Sequence, residues 1–483
     1  KNKLQRLNQR IQDLEIQLKL RQPPKGPMIE RNRMIHYLER ARLTRFKPLG
    51  KGFYKELMPS PDERARYKAA LTAIFNERPA PKTFHRGDIF NLNDDTIKNE
   101  VFLAAYSHVK MDSTPGFPFN YLYQINEEVP MPLVKLEVEH MINGWLFEDV
   151  DELKSMSKKQ MLTRGYSMPA SVFIKGEFTK EEKIARLIYG LSLVMNVAAR
   201  IIFGDYLNDI ADTWETSTHK VGMDMYTDDG LKKLFNGFDR LRSHGCRGIV
   251  SDDIQGWEYM YREWMNTAWH SAYLQRANAT DFHYDLQMCY MIAEQKAMVL
   301  DSEGYIHDPK MFFMYSGKPT THLENSDSRG ALAKVDSGSE FVPTPTANTN
   351  GDDCLSLPPI STPMFSERLG FVHTDVREQL PNKVNFCSQV IERHGDGTIT
   401  RMPDGLAKTF CNSVVNQEIE SRSGIALHIK HHRGAFSFKR LVALCDSFQQ
   451  REYDKTQKQI HDNAASAAFN LGKQVYESLN ELV

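Results

Sequence analysis

Cysteine is scarce in this chain: six among 483 residues, at Cys246, Cys289, Cys354, Cys387, Cys411 and Cys445, with no CxxC pair. That excludes a disulfide framework and a zinc site of the paired-cysteine kind, and it fits a reduced compartment. His428, His431 and His432 stand beside Lys430 and Arg433 and read as a basic loop, so no zinc is expected. Net charge is lacking as well. With 61 Lys and Arg against 62 Asp and Glu the formal charge is −1, so any groove that grips phosphates must be local. A long uninterrupted apolar run is also missing. The stretch from Leu187 to Gly204 contains Asn196 and Arg200 and reads as a buried helix, not a membrane span. No signal-peptide pattern is present, and the chain opens at Lys1 without methionine. It is expected to be either an expressed segment or a piece released from a longer translation product.

What is present is a chain too long for one core, so two or three lobes are expected. Its 41% hydrophobic content excludes a mainly disordered polymer. Charge is uneven: residues 1–60 carry roughly +10, from Lys and Arg including Arg31, Arg40 and Arg45. Both an RNA-facing surface and a solvated helix face remain open readings of that excess.

Apolar spacing predicts an N-terminal helix through Leu4, Leu7, Ile11, Leu14 and Leu18, stopped by Pro23-Pro24 and packed on a lobe. Pro59-Ser60-Pro61-Asp62 predicts a helix start, and Val172-Phe173-Ile174 a strand. A long helical pattern is expected from Leu187 to about Trp214 and another from Glu263 to Leu300. Gly248 to Asp253 reads as a strand ending in acids, and Asn350-Gly351-Asp352-Asp353 as a turn. Ile460, Ala464, Ala468, Leu471, Val475, Leu479 and Leu482 mark a C-terminal amphipathic helix.

Asp253 with Glu258 on its own is an ordinary strand end capping a helix, and Gly351-Asp352-Asp353 on its own an ordinary hairpin turn. Taken together they change the reading. Two-metal nucleotidyl transfer needs carboxylates from separate strands to hold ions roughly 4 Å apart. Between the acids lies Ser316-Gly317, followed by Thr321 and Asn325, one turn apart on a predicted helix, with Asn325 placed to meet an incoming ribose. Upstream, Lys175, Lys183 and Arg186 would neutralise a triphosphate. Ser113-Thr114-Pro115-Gly116 is a rigid turn suited to guiding a template strand.

In this order the residues resemble the motif series of RNA-dependent RNA polymerases of positive-strand RNA viruses, most of all the sobemovirus-like branch, over about residues 110 to 392. Ser113, Thr114 and Gly116 resemble motif G; Lys175, Lys183 and Arg186 motif F; Asp253 and Glu258 motif A. Ser316, Gly317, Thr321 and Asn325 match the SGxxxTxxxN of motif B, and Asn350 to Asp353 motif C. Phe386-Cys387-Ser388 resembles the primer-grip motif E.

The resemblance implies an α/β right-hand fold with an antiparallel palm sheet. It places the N-terminal helix at 1–26, fingers at 27–244, palm at 245–395 with a fingers insertion at about 263–310, and a helical thumb at 396–483. It implies two Mg2+ or Mn2+ ions on Asp253, Asp352 and Asp353, NTPs and an RNA template with its product strand as ligands, and a genome-linked protein primer or other replicase proteins as partners. The location implied is the host cytoplasm at membrane-associated replication complexes. Two positions depart from the family: Glu258 stands where motif A usually has Asp, and His373 where motif D usually offers a lysine as proton donor to the pyrophosphate. Rival readings are a reverse transcriptase and a non-catalytic RNA-binding replicase scaffold.

Overall fold

The computed structural model describes residues 26–50, 53–175, 184–225, 227–244 and 248–404, together with the backbone of 20–21 and 179–180. The expected N-terminal helix, the histidine cluster at 428–432, the C-terminal helix and most of the expected thumb lie outside the described residues.

The first helix, α1 (Pro27–Arg45), leads into a hairpin of β1 (Phe46–Gly50) and β2 (Phe53–Glu56). Next comes α2 (Pro61–Asn76), where the expected start is realised as a capping box. Ser60 Oγ accepts from Glu63 N at 3.2 Å, and the Glu63 carboxylate accepts from Ser60 N at 2.9 Å. After α3 (Asn99–Ser107) and α4 (Met131–Ser155, broken at Asp149) the chain forms β3 (Ala170–Ile174) and β4 (Leu187–Gly190), paired antiparallel, then α5 (Leu193–Ile210). The helix expected from Leu187 is therefore a strand and a helix. Ser192 makes the break, its Oγ capping Met195 N at 3.2 Å.

After α6 (Asp228–Ser243) comes β5 (Val250–Ile254), the strand with the acids. The single helix expected over Glu263 to Leu300 is two, α7 (Glu263–Ala277) and α8 (Asp281–Gln295). Asn278 adopts a left-handed φ of 48° and Thr280 caps the second helix. Two short strands, β6 (Val299–Leu300) and β7 (Ile306–His307), join β3 and β4 in one sheet of order β4-β3-β6-β7.

The central sheet is antiparallel throughout, in the order β8 (Ala347–Asn350), β9 (Asp353–Ser356), β5, β10 (His373–Glu378). It lies between two helices: Leu355 packs into a cluster with Leu234, Phe235 and Phe238 of α6, whereas its neighbour Cys354 packs on Ala333 of α9 (Thr321–Asp336). Alternation along one strand thus serves both faces. A second sheet of β11 (Lys383–Phe386), β12 (Gln389–Arg393) and β13 (Ile399–Pro403) follows, so the first residues of the expected helical thumb pair as a strand. Helix α9 is fixed to the chain just after α2 by a buried bidentate pair, Arg78 Nη1 and Nη2 to Asp327 Oδ1 and Oδ2 at 2.8 and 2.6 Å, with Trp269 Nε1 donating to the same carboxylate. Among the described residues no helix is long and apolar enough to cross a membrane.

Candidate active site

Asp252 and Asp253 are adjacent on β5, so the pleat sends their side chains to opposite faces. Asp253 is exposed and lines a cleft of about 620 Å³ together with Asp352, Asp353, Glu258, Arg186 and Arg40. The β8–β9 hairpin brings in the second pair of acids. Gly351, with a φ of 69°, makes its two-residue turn, and β9 runs beside β5 with Cys354 opposite Asp252. One step further along that register brings Asp353 next to Asp253. The turn is held from α9, where Ser326 Oγ accepts from Gly351 N at 2.8 Å and Ser326 O accepts from Thr349 Oγ1 at 2.7 Å. His322 Nε2 meets Asn350 Oδ1 at 2.7 Å. On the other side Asn350 Nδ2 reaches Cys387 Sγ at 3.3 Å, at the tip of the β11–β12 hairpin.

Electrostatically the cleft is crowded with like charge. Enclosure in the cleft, followed by the fields of Asp352 and Asp253, pushes the Asp353 carboxyl up to about 7. Burial and the same aspartates raise Glu258. The positive side of the wall comes from Arg186 and from Arg40 of α1. Other cations of the basic N-terminal stretch turn inward. Arg45 donates to Tyr259 O and Phe312 O, both at 2.8 Å, and Arg31 pairs with Asp301 at 2.6 Å.

The segment from Ser316 to Thr321 is clamped on two sides. Against β4, Gly317 N donates to Tyr189 O and Tyr189 N donates to Ser316 Oγ, both at 2.9 Å. A Cβ on Gly317 would fall 2.7 Å from Gly190 Cα, so this approach requires glycine. On the other side Lys318, fully buried, donates to Glu324 Oε2 at 2.7 Å and to Glu294 of α8. Thr321 Oγ1 donates back to Tyr315 O at 2.6 Å, and Asn325 Oδ1 accepts from Trp257 Nε1 at 2.8 Å. Lys318 and Trp257 were not foreseen from sequence, because their partners lie on other elements.

His270, Glu294 and Glu324 bring ligand atoms within 4.8 Å of one another, a grouping that could hold a metal among the described residues. The Lys318 ammonium bonds both carboxylates there, so the cation of this cluster is supplied by the chain itself.

His373 is not in the cleft. It pairs opposite Ile254 on β10, whereas the next residue, Thr374, pairs opposite Asp253 and lines the cleft. The strand parity sends His373 to the far face, where Nδ1 meets Asp252 Oδ2 at 2.5 Å and Nε2 meets Ser366 Oγ at 2.7 Å. Burial, then Arg329, lowers its pKa to about 4, so it is neutral near pH 7 and removed from the position expected of a proton donor. Arg329 completes this far-side network by pairing with Asp252.

Of the remaining predicted positions, Lys175 sits at the base of the β3–β4 pair, its N donating to Arg186 O at 2.9 Å, and Lys183 lies outside the described residues. Ser113, Thr114 and Gly116 form a turn at the start of α5: Pro115 O accepts from Leu193 N at 2.8 Å, and Gly116, with a φ of 64°, leaves room for Ser192 Cα. That turn does not line the cleft. Phe386 is buried under α6, Cys387 touches the acid turn, and Ser388 lines the cleft.

No protein-family model matches the chain. It is similar to the replicase polyprotein P2AB of Cocksfoot mottle virus, 22% identical over 353 residues, which is 68% of this chain and 36% of that protein. It is also similar to the replicase polyprotein P2AB of Southern bean mosaic virus, 26% identical over 207 residues (41% of this chain, 21% of that one), and to protein P1-P2 of Turnip yellows virus, 23% identical over 257 residues (49% and 23%). The chain spans about a third or less of the length of these curated relatives. In structure it is similar to the Sicinivirus 3Dpol RNA-dependent RNA polymerase, with a TM-score of 0.57, 12% identity and 89% of each chain covered. The resemblance to sobemovirus-like replicases thus holds in sequence, and the mixed α/β fold is that of a viral polymerase.

Proposed function

We propose that the chain is the RNA-dependent RNA polymerase part of a positive-strand RNA virus replicase, acting by two-metal-ion nucleotidyl transfer. The observation that carries this reading is the convergence of Asp253 from β5 and of Asp352 and Asp353 from the neighbouring β8–β9 hairpin on one cleft that Arg186 and Glu258 also line. The residues fit Mg2+ or Mn2+: all three donors are hard carboxylate oxygens, and they line one cleft together. Asp253, Asp352 and Asp353 would hold the ions, which when bound supply a lowered pKa for the attacking 3′-hydroxyl and neutralise developing charge. The chain's own share is positioning. Arg186, Lys175 and Lys183 would neutralise the triphosphate; Ser316, Gly317, Thr321, Asn325 and Glu258 fix the nucleotide; Ser113, Thr114, Gly116 and the Phe386–Ser388 tip guide template and primer. In this reading residues 27–244 are fingers, 245–395 palm with the insertion at about 263–310, and 396–483 thumb. An RNA template with its product strand, NTPs and a genome-linked protein or other replicase proteins at membrane-associated complexes are its partners.

Primer extension on homopolymeric RNA with NTP or dNTP tests it. NTP incorporation that disappears in Asp352→Asn and in Asp253→Asn, with RNA binding intact, is expected. Incorporation by Asp352→Asn at about a tenth of the native rate would sink the metal assignment. Extension with dNTP alone would make the chain a reverse transcriptase, and RNA binding without extension a scaffold.

A further inference from the structure

We infer that Trp257 is a specificity-determining positioning residue: its indole N–H fixes the Asn325 amide so that Asn325 can only donate to the ribose 2′-hydroxyl. The inference deepens the polymerase reading and rests on it.

The two residues are 68 apart in sequence, and Trp257 Nε1 meets Asn325 Oδ1 at 2.8 Å. An indole nitrogen is a donor and nothing else, so the oxygen end of the amide must face it, whatever its orientation would be otherwise. This settles the direction of a side chain whose two ends have nearly the same shape but opposite hydrogen-bonding character. The bond to the indole occupies the oxygen end alone, which leaves the Nδ2 donor end for a ligand. Asn325 is half-buried on α9, next to Ser326, which holds the acid turn, and one turn after Thr321. It therefore stands between the catalytic hairpin on one side and Trp257, which lines the cleft, on the other.

Trp257 itself has little freedom. Its ring is 2% exposed and sits against Tyr261 and Phe371, with centroids 6.2 and 6.0 Å away. Gly256 delivers it from a left-handed φ of 62°, directly after the strand that carries Asp253. Thus one short segment places the metal-binding acid, the indole and Glu258 in succession.

The polarity of recognition follows. A hydroxyl has one proton to give and lone pairs to receive with. With Asn325 restricted to donating, the ribose oxygen accepts from Nδ2 and its proton goes to the Glu258 carboxylate, which accepts only. A deoxynucleotide leaves both groups unpaired, which is the arrangement that discriminates most strongly. If the amide were free to turn, Oδ1 would compete with Glu258 for the single proton and one of the two bonds would be lost.

Trp257→Phe removes the N–H and keeps a ring against Tyr261 and Phe371. The ratio of kcat/KM for NTP over dNTP is expected to fall about tenfold, the worth of one such bond. Asn325→Ala is expected to lower the ratio at least as far, and Trp257→Phe added to Asn325→Ala to change it no further. Asn325→Asp, which accepts from the indole but cannot donate to the ribose, should resemble Asn325→Ala and serves as the test should the Phe variant not fold. If Asn325→Ala lowers the ratio and Trp257→Phe does not, or if Trp257→Phe acts equally without Asn325, the positioning role is overturned while ribose reading by Asn325 stands. If no variant alters the ratio, the ribose reading fails and this inference with it.

Discussion

Replacing Lys318 by methionine should be among the most damaging single changes to the fold, although it adds no bulk and opens no large cavity. The ammonium is buried and bonded to Glu294 and to Glu324, whose carboxylate also accepts from Thr320 at 2.7 Å and from Tyr261 at 3.2 Å. Removing one member of a buried ion pair strands the charge of its partner and costs about 3–5 kcal/mol. For a chain of this size that is a Tm lower by roughly 3–5 °C. The pH dependence gives the sharper test. Burial pushes Glu294 up to about 7; burial opposes the ionised form of Glu324 too, but there Lys318 wins and holds it below the usual value. Between an unfolded carboxylate value of about 4.3 and about 7, the folded protein keeps a proton on Glu294 that the unfolded chain has released. Stability from this group therefore falls as pH rises through that window. Without the ammonium both carboxylates move up, so the deficit of Lys318→Met should widen from about pH 5.5 to about pH 8. Urea unfolding followed by tryptophan fluorescence measures it. A deficit under about 1 kcal/mol, or one that does not change with pH, would refute a buried pair at this position. Adding Glu294→Gln and Glu324→Gln should recover part of the loss, because neutral partners strand no charge.

His373→Gln keeps a donor for Asp252 and removes the titrating ring. The alkaline limb of the single-turnover pH profile is expected to stay in place, and a limb that moves would return His373 to the role of proton donor. Gly317→Ala puts a methyl group 2.7 Å from Gly190 Cα, backbone against backbone, so neither side can yield by turning a side chain. A stability loss of about 1–3 kcal/mol with a rise in KM for NTP is expected, whereas native KM and stability would show that the loop does not pack on β4 in solution.

Features fixed by short stretches of chain were legible in the sequence. Ser60 with Glu63 makes the capping box at the predicted start, and Gly351 turns the predicted hairpin between Asn350 and Asp353. The merged helices failed for a different reason. From Leu187 to Ile210 most side chains are buried, so apolar periodicity cannot separate a strand enclosed on both faces from the helix that follows. Only the cap at Ser192 divides them. Contacts between distant elements could not be read at all: Trp257 to Asn325, Lys318 to Glu294 and Asp252 to Arg329 each depend on how helices seat on the sheet.

The site turns most closely on parity. Asp252 and Asp253 are the same residue type on adjacent positions of one strand, and no property of either alone says which belongs to the chemistry. Pairing decides: Asp252 lies opposite Cys354 on the α9 face, where Arg329 and His373 take up its carboxylate, and Asp253 is left in the cleft. The same pairing displaced the expected proton donor, since His373 lies opposite Ile254 and Thr374 opposite Asp253. A bulge after Thr374, with Asp375 at a φ of 53°, then carries Asp375 to the cleft wall. A slip of one residue between β5 and its neighbours would exchange the two aspartates and bury the charge of Asp253 against Arg329. Arg329 would meet an aspartate in either register, so it is the buried Ile254, on the same face as Asp252 and turned out to the cleft by such a slip, that selects the register in which Asp253 faces the cleft.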